Sequence, residues 1–144
     1  MSIKAIAEMT ETRVQSIMAL AMGAIVNPPN AVAPTLGTAF QATDPTRGAL
    51  CVVNLTSTAQ LTLGGGQTHT GNIVIGSTAA VAAGTGTVVG VYTNSQTGTV
   101  IVGVGLNAQL SMPIAFYLPK GWYYAVRQTA GTITIVSAYD QAIG

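Results

Sequence analysis

Six side chains supply all the carboxylate, imidazole and thiol chemistry in this sequence: Glu8, Glu11, Asp44, Asp140, His69 and Cys51. His69 is the only histidine and sits in Gly64-Gly65-Gly66-Gln67-Thr68-His69-Thr70-Gly71. A Ser-His-Asp arrangement would have to recruit Asp44 or Asp140, and no Gly-x-Ser-x-Gly elbow presents a serine. With so few partners, His69 reads as a loop-tip or strand-edge residue. Asp44 and Asp140 are also the only carboxylates outside the N-terminal segment, so any two-carboxylate glycoside chemistry would rest on them. Nothing in their spacing brings them together. A hard cation would need more charged oxygens than the chain offers. A single cysteine allows neither an internal disulfide nor a cysteine-based zinc site, and Ala49-Leu50-Cys51-Val52-Val53 is the setting of a small buried hydrophobe. Gly103-Val104-Gly105-Leu106-Asn107-Ala108 has dinucleotide-like glycines, but the run that follows is strand-like where a true fingerprint opens a helix. The expectation is therefore no enzyme, no cofactor and no metal.

The elements that would position these residues fall into three parts. Residues 1–26 read as an N-terminal α-helix: Ala, Lys, Glu, Met, Gln and Leu dominate, and Pro28-Pro29 stops it. Val14, Met18, Ala21 and Ile25 share a face, and residues 17–26 are apolar nearly all round. We expect Val14, Ile17, Met18, Ala21, Met22 and Ile25 to anchor the chain to a partner or to bundle copies of it; the plainer alternative is a helix covering its own domain's open face. Residues 27–47, with Pro28, Pro29, Pro34 and Pro45, read as a Pro-rich extended arm lying along a neighbour. Residues 48–144 form the third part. Short β-rich runs at 49–56, 59–63, 71–76, 87–93, 99–104, 110–118, 122–127 and 131–137 alternate with Gly-rich and Asn-rich breaks. Eight strands with no helix between them predict an all-β, eight-stranded jelly-roll or β-sandwich domain.

Composition narrows the function. Only 6% of residues are charged, against about 25% in ordinary soluble domains. From Gly48 to Pro119 there is no Lys, Arg, Asp or Glu. A monomer keeps its surface wet with charge, so this chain is expected to cover much of its surface with other subunits. Lys4, Arg13, Arg47, Lys120 and Arg127 are scattered, so no cluster supports nucleic-acid binding. No run of about 20 apolar residues predicts a transmembrane helix, and Glu8 and Glu11 precede the apolar run where a secretory signal carries positive charge. Synthesis and assembly in the cytoplasm follow as expectations.

Four of five tyrosines, the only Trp and one of two Phe lie between residues 110 and 139. Trp122, Tyr123 and Tyr124 could form a carbohydrate platform; the reading preferred is that alternate aromatics fill the core and a subunit wall. Tyr117, Trp122, Tyr124 and Tyr139 are the residues expected there.

This closing stretch resembles trimeric jelly-roll proteins of phage virions, namely capsid decoration (cement) proteins, head fibres and tail-fibre tips. The resemblance rests on Leu118-Pro119-Lys120-Gly121-Trp122-Tyr123-Tyr124-Ala125-Val126, the Ala130-Gly131-Thr132 corner, Ser137-Ala138-Tyr139-Asp140-Gln141, and Val52-Val53-Asn54-Leu55-Thr56 as an opening strand. It covers roughly residues 38–144 and departs at the end, where Tyr139 replaces a usual Trp and Gln141-Ala142-Ile143-Gly144 a usual Glu-Leu-Arg. It implies a homotrimer. A short helix and arm without a repeated shaft then fit a decoration protein on the virion surface, partnered with itself and the major capsid protein, stabilising the head by bridging capsid subunits. The alternative is a fibre or spike tip binding a host-surface receptor or glycan.

Overall fold

In the computed structural model, the structure describes residues 29–98 and 106–143. The expected helix over 1–26, its residues Val14, Ile17, Met18, Ala21, Met22 and Ile25, and the expected strand over 99–104 lie outside the described residues.

The chain is all-β in antiparallel sheets, with strands β1 (Asn30–Val32), β2 (Gly48–Thr62), β3 (Gly65–Gly66), β4 (Thr68–Gly76), β5 (Thr87–Ser95), β6 (Leu106–Leu118), β7 (Tyr123–Ala130) and β8 (Thr134–Ile143). One sheet runs β1-β8-β2, with β6 on the other side of β2 and β3 folded back at its end. The second runs β5-β4-β7. Their facing sides share one core, built from Cys51, Val53, Leu55 and Phe116 on the first sheet and Ile73, Tyr92, Tyr124 and Val126 on the second.

Alternation explains β2. Odd positions from Ala49 to Ala59 are buried and even positions from Leu50 face outward, as the two-residue period of a strand requires. The break expected between 56 and 59 does not occur. Ser57 points inward and is satisfied there: its Oγ lies 2.8 Å from the Tyr92 hydroxyl, and Asn94 Nδ2 donates to its carbonyl at 3.1 Å. A buried hydroxyl with hydrogen-bond partners sits inside a strand without interrupting it. In β4 ordinary alternation sends consecutive residues to two faces, and the register with β5 slips by one residue at Val89. Ile73 enters the main core, while Val74 packs outside with Ala125 and Val81. Val81 belongs to a 3-10 helix, Ala79–Ala83, capped by Thr78 at one end and left-handed Gly84 at the other.

Two stretches of the arm pair with the chain's own sheets. Asn30–Val32 pairs with β8, and Phe40 bridges Tyr124 of β7. Phe40 meets the Tyr124 ring edge-on at 5.8 Å, and Phe116 meets it from elsewhere at 5.3 Å. The turn after β6 closes through Trp122 N–H donating to the Pro119 carbonyl at 3.1 Å, with Gly121 supplying the positive φ its third position needs.

Candidate interaction surface

The outward positions of the β1-β8-β2-β6 sheet form one continuous surface. Register sets Ala31 beside Tyr139, Tyr139 beside Val52 and Val52 beside Ala115. The next row holds Gln141, Leu50 and Tyr117, and the following row Ser137, Asn54 and Pro113. Beyond these come Thr56 with Ser111 and Thr58 with Gln109. None of these side chains is charged.

The two halves of this surface differ in what they still lack. In the polar half, Thr56 Oγ1 donates to the Leu110 carbonyl at 3.1 Å and accepts from Ser111 Oγ at 3.0 Å and Gln109 Nε2 at 3.4 Å. A hydroxyl has one proton and two lone pairs, so Thr56 is saturated. Asn54 Nδ2 donates to Ser137 Oγ at 2.7 Å. The other half exposes mainly apolar side chains. Leu50 is 44% exposed, Tyr117 53% and Tyr139 38%. Pro29, Leu50, Val52, Asn54, Tyr139 and Gln141 line a groove of about 270 Å³ there. Tyr117 lies across Gly48, where a Cβ would collide with its hydroxyl. Glycine at that strand position gives the ring its room.

The four aromatics named from sequence separate. Tyr117 and Tyr139 stand on this outer surface, Tyr124 is buried in the core, and Trp122 is half-buried against that core. Tyr123 points to the other side of its sheet, against the Val74 and Val81 cluster. Leu50, Val52 and Pro29 were not singled out from sequence. Leu50-Cys51-Val52-Val53 is apolar throughout, so its pattern does not tell the outer positions from the inner ones.

The chemistry-bearing residues do not converge. His69 is neither at a loop tip nor on an edge: β4 is the central strand of its sheet, and the ring is buried facing the core. The alternation His69, Gly71, Ile73 carries it inward. Its Nδ1 accepts from Thr132 N–H at 2.7 Å, and its Nε2 has no hydrogen-bond partner among the described residues. Asp44 closes its own turn, accepting from Thr46 N–H at 3.1 Å and from the Thr46 hydroxyl at 2.6 Å. Those two bonds hold its carboxyl below the usual range. Asp140, by contrast, is buried beside Cys51 on the adjacent strand. Burial, and then the Asp140 charge, pushes the Cys51 thiol up to about 12, so it is protonated and not nucleophilic near neutrality. Burial, then Cys51 and Asp140, pushes the Tyr124 phenol up as well. This trio is part of the core's construction. Among the described residues no group of three His, Cys, Asp or Glu side chains could hold a metal ion, and no helix is long and apolar enough to cross a membrane.

No family model, curated protein or solved structure matches this chain.

Proposed function

We propose that this protein is a non-enzymatic virion decoration protein, a homotrimeric jelly-roll knob that stabilises a phage head by bridging subunits of the major capsid protein. The observation that carries the proposal is the uncharged outer surface of the β1-β8-β2-β6 sheet, where Leu50, Tyr117 and Tyr139 are exposed and Leu50 and Tyr139 line a groove. Contiguous apolar surface of this kind marks an interaction site. At ~25 cal/mol per Å², each 100 Å² of apolar area covered contributes about 2.5 kcal/mol before association costs. Repeated over a shell, such contacts act mechanically, without turnover.

The strand order supports the jelly-roll reading. Taking the Phe40–Tyr124 bridge as a fourth, one-residue member of the second sheet sets four members against the four longer strands β1, β8, β2 and β6 of the first, beside the two-residue β3. Sheet neighbours are mostly distant in sequence, and β5 to β6, β6 to β7 and β7 to β8 each cross between sheets. The resemblance of residues 118–126 and 137–141 to phage jelly-roll proteins supports the virion assignment.

The test is mass in solution together with copy number on particles. A trimer that co-sediments with empty heads in many copies is expected. A stable monomer that fails to bind heads overturns the proposal. A few copies per particle, with the isolated protein binding host cells, replaces it with a receptor-binding fibre tip.

A further inference from the structure

We infer that the hollow beside Arg127, on the outer face of the β5-β4-β7 sheet, binds the carboxylate group of a compact organic ligand. The hollow belongs to the second sheet and shares no residue with the groove on the first.

Three elements build it. Arg127 and Gln128 come from β7, Ala82 from the 3-10 helix, and Leu36 and Gly37 from the segment that the Gly37 N–H ties to the Val126 carbonyl at 2.8 Å. Alternation along β7 sends Tyr124 and Val126 to the core, so Arg127 joins Tyr123 and Ala125 on the outer side. Its guanidinium lies over Gly84, the left-handed residue that ends the 3-10 helix, and a Cβ there would collide with Nη1. Glycine serves twice at this point: it takes the positive φ of the cap and leaves room for the cation.

The charge is unanswered within the chain. Arg127 is half-buried, yet among the described residues no acceptor takes any of its N–H groups. Asn72 stands opposite it in the β4–β7 register, and the buried Asn72 Oδ1 receives no donor among the described residues either. Asp44 and Asp140 are engaged elsewhere, the first by Thr46 and the second by Thr43 and Asn30. A partly desolvated cation without a partner favours an anion. Gln128 adds a second donor. Its Oε1 accepts from the Ile133 N–H at 3.2 Å, which turns the amide so that Nε2 can donate to a ligand.

One guanidinium and one amide specify a monoanion. A carboxylate matches the guanidinium fork with two parallel bonds. A phosphate group carries nearly two charges at neutral pH, and Arg47 and Lys120, the other described cations, do not line the hollow. At about 410 Å³ it falls within the ~300–1,000 Å³ range of small-molecule sites, and Leu36 and Ala82 supply apolar walls for the ligand's body.

The test is a titration of the full nitrogen-15-labelled chain at low salt, read at the Arg127 Nε–H and at the Gly37 and Gly84 amides. The probes are glucuronate and N-acetylleucine, an acidic sugar and a peptide-like carboxylate. Glucose, N-acetylleucine amide and glucose 6-phosphate are the controls. Saturable shifts with at least one carboxylate, and none with the neutral controls, are expected; the tighter of the two carboxylates names the ligand's source. Arg127→Lys keeps the charge, loses the fork and should weaken binding about tenfold. Ala82→Phe fills the hollow without touching the charge and should abolish binding. The inference is overturned if neither carboxylate shifts these resonances, if the neutral controls shift them equally, or if glucose 6-phosphate binds more tightly. Unchanged affinity in either variant overturns it as well. Capsid binding is measured on the opposite sheet's variants, so failure there leaves this result untouched.

Discussion

Asp140 and Thr43 are joined through a single oxygen. The Thr43 backbone N–H donates to Asp140 Oδ2 at 2.6 Å, and the Thr43 hydroxyl donates to the same atom at 2.9 Å. Asn30 Nδ2 reaches the other oxygen at 3.2 Å. One buried carboxylate on β8 thus ties both ends of the segment 30–43 to the sheet.

Asp140→Ala should therefore lower stability by about 4 kcal/mol, because three donors lose a charged acceptor in a buried site. Asp140→Asn keeps one acceptor oxygen and should lose less. Urea denaturation of both variants checks the order, and equal losses would mean the carboxylate is not the clamp.

Alkaline pH should destabilise the fold through Cys51. Its folded pKa is raised from 9.0 to about 12. Between those values the unfolded chain gives up a proton that the folded chain keeps, so stability falls as pH rises. Tyr124 is raised from 10.0 and acts in the same direction. Cys51→Ala should flatten the decline between pH 9 and about 12. In the folded protein at pH 8, alkylation of Cys51 should be far slower than in the unfolded chain.

Leu55 and Tyr117 should separate folding from association. Leu55 is fully buried, and Leu55→Ala should cost about 2–5 kcal/mol of unfolding free energy. Tyr117 is 53% exposed, and Tyr117→Glu should change that free energy by no more than about 0.5 kcal/mol at protein concentrations where copies do not associate. Sedimentation should nevertheless show the proposed self-association weakened by Tyr117→Glu, since a carboxylate would then enter an uncharged contact.

Gly48 and Tyr117 should be energetically coupled. A Cβ at position 48 meets the tip of the Tyr117 ring, the mobile end of a side chain, so Gly48→Ala should displace the ring and leave the strand intact. A double-mutant cycle with Tyr117→Ala should give a coupling of about 0.5–1 kcal/mol. Additive effects would show that the ring does not rest on Gly48.

The strand-rich body, the turn at Pro119-Lys120-Gly121 and the shortage of charge were legible in the residues, because strand alternation, turn chemistry and composition are local properties. The register was less legible. Expected strands 71–76 and 131–137 lengthened to Thr68–Gly76 and shifted to Thr134–Ile143, since pairing partners, absent from any local window, set where a strand begins and ends. The gap between the expected runs 49–56 and 59–63 has the same cause: Tyr92 and Asn94, which satisfy Ser57 inside β2, are 35 and 37 residues away.

The sequence by itself determined that this chain is β-built, poor in acids and bases and rich in apolar residues. Only the tertiary structure decided which of those residues face outward. Leu50, Cys51, Val52 and Val53 are equally apolar as residues, and their sides diverge when β2 is placed between β8 and β6 over the second sheet. Only there, too, does Asp140 meet Asn30, 110 residues away, and become a clamp. Hydrophobicity and turn propensity act over a few residues, whereas burial and hydrogen-bond satisfaction depend on pairings across the whole chain.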